Sequence, residues 1–173
     1  FRDGVSFLHG TLHAAMAHGV PILTTQPRVP LPELVDRENV LLVPPEDPQA
    51  LADTIEQLAA DHPDKFAVAT SVADVRRQFA AGLVSLPMGM ENGSPIDGNI
   101  DNVRHFYDRG IRYLSLSHGS NNHLSDSSYD ETTRWDGISD FGAEVIREMN
   151  RLGIMIDVAH ELRTPLTNMR GYL

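Results

Sequence analysis

The sequence contains no cysteine, which excludes disulfide bonds and thiolate metal sites. A chain without disulfides is typical of the cytoplasm, and we expect that location. It has no run of about 18 apolar residues, so it predicts no membrane span. Basic residues are scarce, with 14 Lys and Arg against 24 Asp and Glu and a net charge of -10. Because nucleic acids and anionic lipids bind clustered cations, this balance argues against both as partners.

The remaining composition is that of a soluble globular protein about one domain long. The chain has 173 residues, of which 41% are hydrophobic. It begins at Phe1 rather than Met and ends inside a helical pattern, so we expect both ends to be cut from longer sequences. The oligomeric state does not follow from the sequence.

Strand and helix patterns alternate along the chain. Apolar, partly β-branched runs predict strands at residues 20–23, 40–43, 83–90, 111–116 and 154–158. Helix starts are predicted at Asp47, Ser71 and Ser139, and Gly153 is the predicted stop of the last helix. This alternation is typical of an α/β fold with a mainly parallel sheet.

The first segment, residues 1–61, contains the stretches FRDGVSFLHG and AAMAHGVPIL. It resembles the C-terminal, Rossmann-like domain of retaining glycosyltransferases. The resemblance implies that a loop including Asp3, Gly4 and Ser6 binds a nucleotide diphosphate at a helix N-terminus. Thr11 stands where that family usually has a second acidic residue.

The middle segment, residues 62–160, contains HPDKFAVATSVADVRR, GMENG, DNVRHFYDRGIRYLSLSH and GISDFGAEVIREMNRLGIMIDVAH. It resembles the membrane (renal) dipeptidases, metallohydrolases with a (β/α)8 barrel. The resemblance implies that Glu91 and His160 are zinc ligands and that His118 contacts a short peptide substrate.

The residues themselves point to the same three positions. Glu91, His118 and His160 each follow an apolar strand pattern. The carboxyl ends of parallel strands meet on one edge of a sheet, where barrel enzymes place their chemistry. A carboxylate and imidazoles on that edge are suitable zinc ligands.

The last segment, residues 161–173, continues the stretch DVAHELRTPLTNMRGYL. This stretch resembles the phosphoacceptor motif of sensor histidine kinases, the H-box. The resemblance implies a helical tail and, as an alternative role, phosphorylation of His160. One histidine therefore fits two family patterns.

We therefore predict an α/β chain in which partial (β/α) barrel units follow a Rossmann-like β-α fragment. The main functional prediction is a zinc-dependent dipeptidase-like hydrolase fragment. We expect it to be inactive, because the other metal ligands of the family are missing. The alternatives are a nucleotide-sugar-binding glycosyltransferase fragment, a kinase phosphoacceptor segment and a synthetic chimera without function.

Overall fold

The structure is a computed structural model that describes residues 4–8 and 10–157. The chain divides into two compact units, Phe1–Phe66 and Ala67–Leu173. Both units combine helices with strands, and parallel pairs occur in both sheets, so the predicted α/β class with parallel sheets is confirmed. Within the described residues, no helix has the length and apolar character needed to cross a membrane.

The first unit contains two helices and a two-stranded parallel sheet. Its elements are α1 (Gly10–His18), β1 (Leu23–Thr25), β2 (Leu41–Val43) and α2 (Pro48–Asp61). Its core is a small cluster of buried side chains, namely Val5, Leu12, Leu34 and Val40. This unit therefore buries little apolar surface.

The predicted start of α2 is confirmed. The Asp47 carboxylate accepts the backbone N–H of Ala50 at 2.8 Å, and Pro48 occupies the first turn, where a missing N–H costs nothing. Strand β1 begins at Leu23, later than predicted, because pairing starts where Leu23 lies opposite Leu41. Val20, at the predicted strand start, is half exposed.

The second unit is built on a four-stranded sheet with the order β3-β4-β5-β6. The strands are β3 (Phe66–Ala69), β4 (Val84–Glu91), β5 (Ile111–Ser115) and β6 (Met155–Ile156). Three helices, α3 (Val72–Ala80), α4 (Asp101–Asp108) and α5 (Asp140–Leu152), alternate with them. Strand β5 is parallel to both β4 and β6. Strand β3 was not among the predicted strands.

Local capping sets the ends of α3 and α5 as predicted. Ser71 Oγ accepts the N–H of Asp74 at 3.1 Å, and Ser139 Oγ accepts the N–H of Gly142 at 2.9 Å. Helix α5 ends at Gly153, whose φ of 81° is readily adopted only by glycine.

The core of the second unit is a cluster of fully buried side chains contributed by the sheet, the helices and the loop after β5. Its members are Ile96, Val103, Leu114, Leu116, Leu124, Val145, Ile146, Met149 and Ile154. Burial of each such side chain contributes about 1.5–3 kcal/mol to the free energy of unfolding. The strands that carry the predicted site residues are therefore packed on a closely filled core.

Candidate functional site

The carboxyl ends of β4 and β5 lie side by side. In the parallel register, Glu91 at the end of β4 pairs with Ser115 at the end of β5. The contact continues beyond the strands, because the N–H of Gly93 donates to the carbonyl of Leu116 at 3.1 Å. His118 follows two residues later, so the parallel pairing brings it to the same edge as Glu91.

Glu91 and His118 face each other at this edge. The distance from Glu91 Oε1 to His118 Nδ1 is 3.4 Å, and the two side chains are 63% and 45% exposed. Because both are well exposed, the pair is screened by water and adds little to folding stability. Its arrangement nevertheless places a carboxylate and a proton-carrying ring where a ligand can reach both.

A tight turn after Glu91 is organised by Asn92. Its φ is 90°, a region that few residues other than glycine adopt. Its N–H donates to Ser115 Oγ at 3.0 Å, so the turn is tied to β5. Its Oδ1 accepts the Ser94 N–H at 3.0 Å, the Ser94 hydroxyl at 2.8 Å and the Asn122 amide at 3.0 Å. Three donors therefore converge on one oxygen directly beside Glu91.

Asn122 connects this turn to the loop that follows β5. Its Nδ2 donates to Asn92 Oδ1 at 3.0 Å and to the Leu116 carbonyl at 2.7 Å. Its Oδ1 accepts the N–H groups of Leu124 and Ser125 at 2.8 and 3.1 Å. The donor side of the amide thus contacts the strand ends, and the acceptor side shapes the loop.

Asp126 anchors the far part of the same loop. Its buried carboxylate accepts backbone N–H groups of Arg134, Trp135 and Gly137 at 2.9 to 3.1 Å. Burial raises the pKa of the Asp126 carboxyl, but the hydrogen bonds from Gly137 and its neighbours outweigh this, and the pKa lies below its usual value. Asp126 therefore holds the loop as an ionised acceptor.

An aromatic side chain stands beside the pair. The rings of His118 and Tyr129 have centroids 6.5 Å apart at an interplanar angle of 53°, and Tyr129 is 62% exposed. The Ser127 hydroxyl donates to the carbonyl of His118 and accepts the Tyr129 N–H, which it receives at 3.2 Å. These two hydrogen bonds hold the backbone of His118 and of Tyr129, the residues that carry the two rings.

The predicted nucleotide loop of the first unit is engaged with its own chain. Gly4 has a φ of 73°, and a Cβ at this position would overlap the backbone of Gln26, so the glycine permits a close backbone approach. The N–H of Val5 donates to the Thr25 carbonyl at 3.3 Å. Ser6 Oγ accepts the N–H of Leu8 at 3.3 Å. These groups make local contacts, and Asp3 lies outside the described residues.

The structure brings Glu91 and His118 together, whereas His160 lies outside the described residues. The assignment of roles to these residues stays a prediction. Asn92, Asn122 and Tyr129 were not predicted as site residues from the sequence. The signal for Asn92 and Asn122 was the polar cluster after each strand pattern, in the stretches ENG and SNNH, and Tyr129 lies in the polar stretch DSSYD.

The donor set for a metal is incomplete in the part of the chain that the structure describes. There, no group of three or more His, Cys, Asp or Glu side chains could hold a metal ion. Glu91 is chemically suitable as one ligand, and His118 beside it could act as a second.

Two protein families match the sequence in regions that overlap at residues 47–61. The family described as membrane dipeptidase (peptidase family M19) matches residues 47–168, and the family described as glycosyl transferases group 1 matches residues 6–61. The dipeptidase match extends over much of the segment that resembles the kinase H-box. The H-box resemblance itself stays a prediction, and residues 158–173 lie outside the described ones.

Known dipeptidases are similar in sequence and in structure. Dipeptidase aclJ of Aspergillus oryzae is 34% identical over 120 residues, which are 65% of this chain and 28% of the relative. A metallopeptidase from Rhodobacter sphaeroides, solved with a phosphinate mimic of the dipeptide L-Ala-D-Ala, is 25% identical with a TM-score of 0.60. The match covers 69% of this chain and 35% of that one.

The fold alone is supported by a further solved structure, the probable dipeptidase PvdM from Pseudomonas aeruginosa. It is 24% identical with a TM-score of 0.65 and covers 72% of this chain and 32% of its own. The chain therefore spans about a third of the length of the solved relatives and less of the curated one. Since the dipeptidase pattern matches well over half of its residues, the chain belongs to the membrane dipeptidase family.

Proposed function

We propose that this chain carries part of the active site of a metal-dependent dipeptidase, which hydrolyses the amide bond of a short peptide. The observation that carries the proposal is the 3.4 Å between Glu91 Oε1 and His118 Nδ1 at the carboxyl edge of a parallel sheet. Barrel enzymes place their chemistry at this edge. Membership of the dipeptidase family supports a peptide as the substrate.

Glu91 and His160 are the proposed metal ligands, and zinc is the proposed metal. A bound zinc ion lowers the pKa of its water to about 7 and polarises a carbonyl. Because the dipeptidase resemblance supplies only Glu91 and His160 as ligands, whereas zinc sites have three or four protein ligands, we propose that this chain binds zinc weakly and has no measurable turnover.

His118 is the proposed substrate contact. An imidazole N–H can donate to the oxygen of the scissile carbonyl, where negative charge develops during attack. The carboxylate of Glu91 faces Nδ1, so the N–H on that side points to Glu91, and donation from Nε2 to the carbonyl oxygen requires a proton on both ring nitrogens. The backbone of His118 is held in turn by the Ser127 hydroxyl.

A nucleotide-sugar function is the second candidate, and it rests on the match of residues 6–61. Phosphate loops bind through free backbone N–H groups. In this chain the N–H of Val5 donates to the Thr25 carbonyl and that of Leu8 donates to Ser6. These contacts favour the dipeptidase proposal over the nucleotide one.

Calorimetric titration with a phosphinate dipeptide mimic, with zinc present, tests the proposal. We expect weak binding by the natural sequence and a loss of about tenfold or more in Glu91→Gln and His118→Ala, as for other groups that hold a metal or its surroundings. Glu144→Gln, an exposed acid on α5, is the matched control and should bind like the natural sequence. Absence of binding, or unchanged binding by both site variants, would refute the proposal.

A further inference from the structure

Asn122 belongs to the loop after β5 and contacts the turn after β4. The nitrogen and the oxygen of its amide bind different parts of the site. The two N–H groups of Nδ2 go to the strand ends, where they meet Asn92 Oδ1 at 3.0 Å and the Leu116 carbonyl at 2.7 Å. The oxygen goes to the loop, where it accepts the N–H groups of Leu124 and Ser125.

Through its bond to Asn92, Asn122 contacts the residue that directly follows Glu91 in the chain. Asn92 and Asn122 are thirty residues apart, so their bond crosses from the turn after β4 to the loop after β5. The backbone holds the two strand ends together as far as the bond from the Gly93 N–H to the Leu116 carbonyl, and beyond it the contacts shown are made by side chains. The Asn92–Asn122 bond is such a side-chain contact, directly beside the Glu91 and His118 pair.

We propose that Asn122 is a positioning residue that sets the spacing of Glu91 and His118 by donating to Asn92 and Leu116. This inference rests on the proposed function, because the pair is taken as the ligand-binding site. Asn122 acts through its bonds to Asn92 and Leu116, so its effect on Glu91 and His118 passes through the turn after β4 and the loop after β5.

The substitution Asn122→Asp separates the two halves of the amide. An aspartate retains an oxygen that accepts from Leu124 and Ser125, but it has no N–H to donate to Asn92 and Leu116. Asn39→Asp is the matched control in the first unit. Asn39 likewise accepts the N–H of Val35 at 2.9 Å and donates to the Glu33 carbonyl at 2.8 Å.

A second variant removes the same bond from its other end. Asn92→Gly deletes the accepting Oδ1, which also removes its two bonds from Ser94, and glycine adopts the φ of 90° without strain. Because the two variants share the Asn92–Asn122 bond, the double variant should lose less affinity than the sum of the two single losses.

The experiment is calorimetric titration of the phosphinate dipeptide mimic with zinc, paired with amide hydrogen exchange at Leu124 and Ser125. We expect Asn122→Asp and Asn92→Gly each to weaken binding by at least about fivefold to tenfold, the value of one ordinary hydrogen bond, because each removes the Asn92–Asn122 bond together with other contacts. Protection at Leu124 and Ser125 should persist in Asn122→Asp, and Asn39→Asp should bind normally. A purely structural role would lower the melting temperature and leave the affinity of the folded protein unchanged.

The outcomes separate this inference from the proposed function. If the natural sequence does not bind the phosphinate, the proposed function fails and this inference fails with it. If the natural sequence binds and both variants bind equally well, only the positioning role is refuted. Additive losses in the double variant would also overturn it, because the two residues would then act independently.

Discussion

Both carboxylate oxygens of Asp126 accept the backbone N–H of Trp135, at 3.1 and 3.0 Å, across nine residues of loop. The N–H groups of Arg134 and Gly137 also donate to this carboxylate. Because Asp126 as a whole is only 7% exposed, these bonds are formed largely away from water. The loop after β5 is therefore closed around one negative charge.

We expect that replacing Asp126 lowers the free energy of unfolding by an amount that depends on pH. Because folding lowers the pKa of Asp126, its ionised carboxylate contributes fully to the free energy of unfolding above the unfolded pKa of about 3.9. This contribution is lost as the pH falls through the lower folded pKa. We expect Asp126→Asn to be destabilised by about 2 kcal/mol at pH 7, the scale of hydrogen bonds to a charged group. The difference should narrow below about pH 4.

Urea unfolding of both proteins at pH 7 and at pH 3.5 measures this difference. Asp64→Asn, an exposed position in the first unit, is the control and should unfold like the natural sequence at both pH values. A difference that stays constant across this pH range would show that the ionised carboxylate is not what closes the loop.

A second prediction concerns zinc. The resemblance to dipeptidases supplies two metal ligands, Glu91 and His160, whereas zinc sites have three or four protein ligands, so we expect the chain to bind zinc weakly. Glu91→Ala and His160→Ala should each reduce the affinity roughly tenfold or more. Calorimetric titration without peptide ligand provides the measurement, and tight binding of two metal ions would mean that further ligands exist in the chain.

A third prediction is that nucleotide sugars leave the chain unchanged. Thr11 stands in place of an expected acid, and the Val5 N–H is engaged with Thr25. A ligand that binds the folded state stabilises it by RT ln(1 + [L]/Kd), so binding would raise the melting temperature. We expect no shift with UDP- or GDP-sugars at roughly millimolar concentration, well above the Kd of a specific site. A clear rise would revive the glycosyltransferase interpretation.

A fourth prediction concerns the order of unfolding along the chain. The second unit has the larger core, built around Leu114, Ile146 and Met149, whereas the first relies on a small cluster around Leu12. Amides of β4, β5 and α5 should therefore exchange most slowly. Residues 61–65 are exposed, so trypsin should cut first near Lys65.

Equal protection of β1 and β5, together with resistance at residues 61–65, would contradict this order. It would also mean that the predicted segments 1–61 and 62–160 unfold as one cooperative body. Hydrogen exchange measures the protection of β1 and β5, and limited trypsin digestion measures the resistance of residues 61–65. Mass spectrometry detects the products of both experiments. The boundary between the segments stays a prediction until then.

Helix starts and stops were determined by the sequence itself. The caps at Asp47, Ser71 and Ser139 each work through a bond to a residue three positions away, and the stop at Gly153 depends on one residue's conformation. Such signals are complete within a few residues, so they could be predicted. The short strand β3 could not, because four residues form a strand only when a neighbouring strand pairs with them.

The candidate site likewise has one part that could be predicted from the sequence and one part that could not. Strand patterns alone placed Glu91 and His118 after strands, where parallel strands bring their carboxyl ends to one edge. Their 3.4 Å separation depends on the register of β4 against β5 and on the path of two loops. The bond from Asn122 to Asn92 spans thirty residues and has no local signature. Only the tertiary structure could decide it, because hydrogen bonds between distant side chains form only after the strands that carry them have paired.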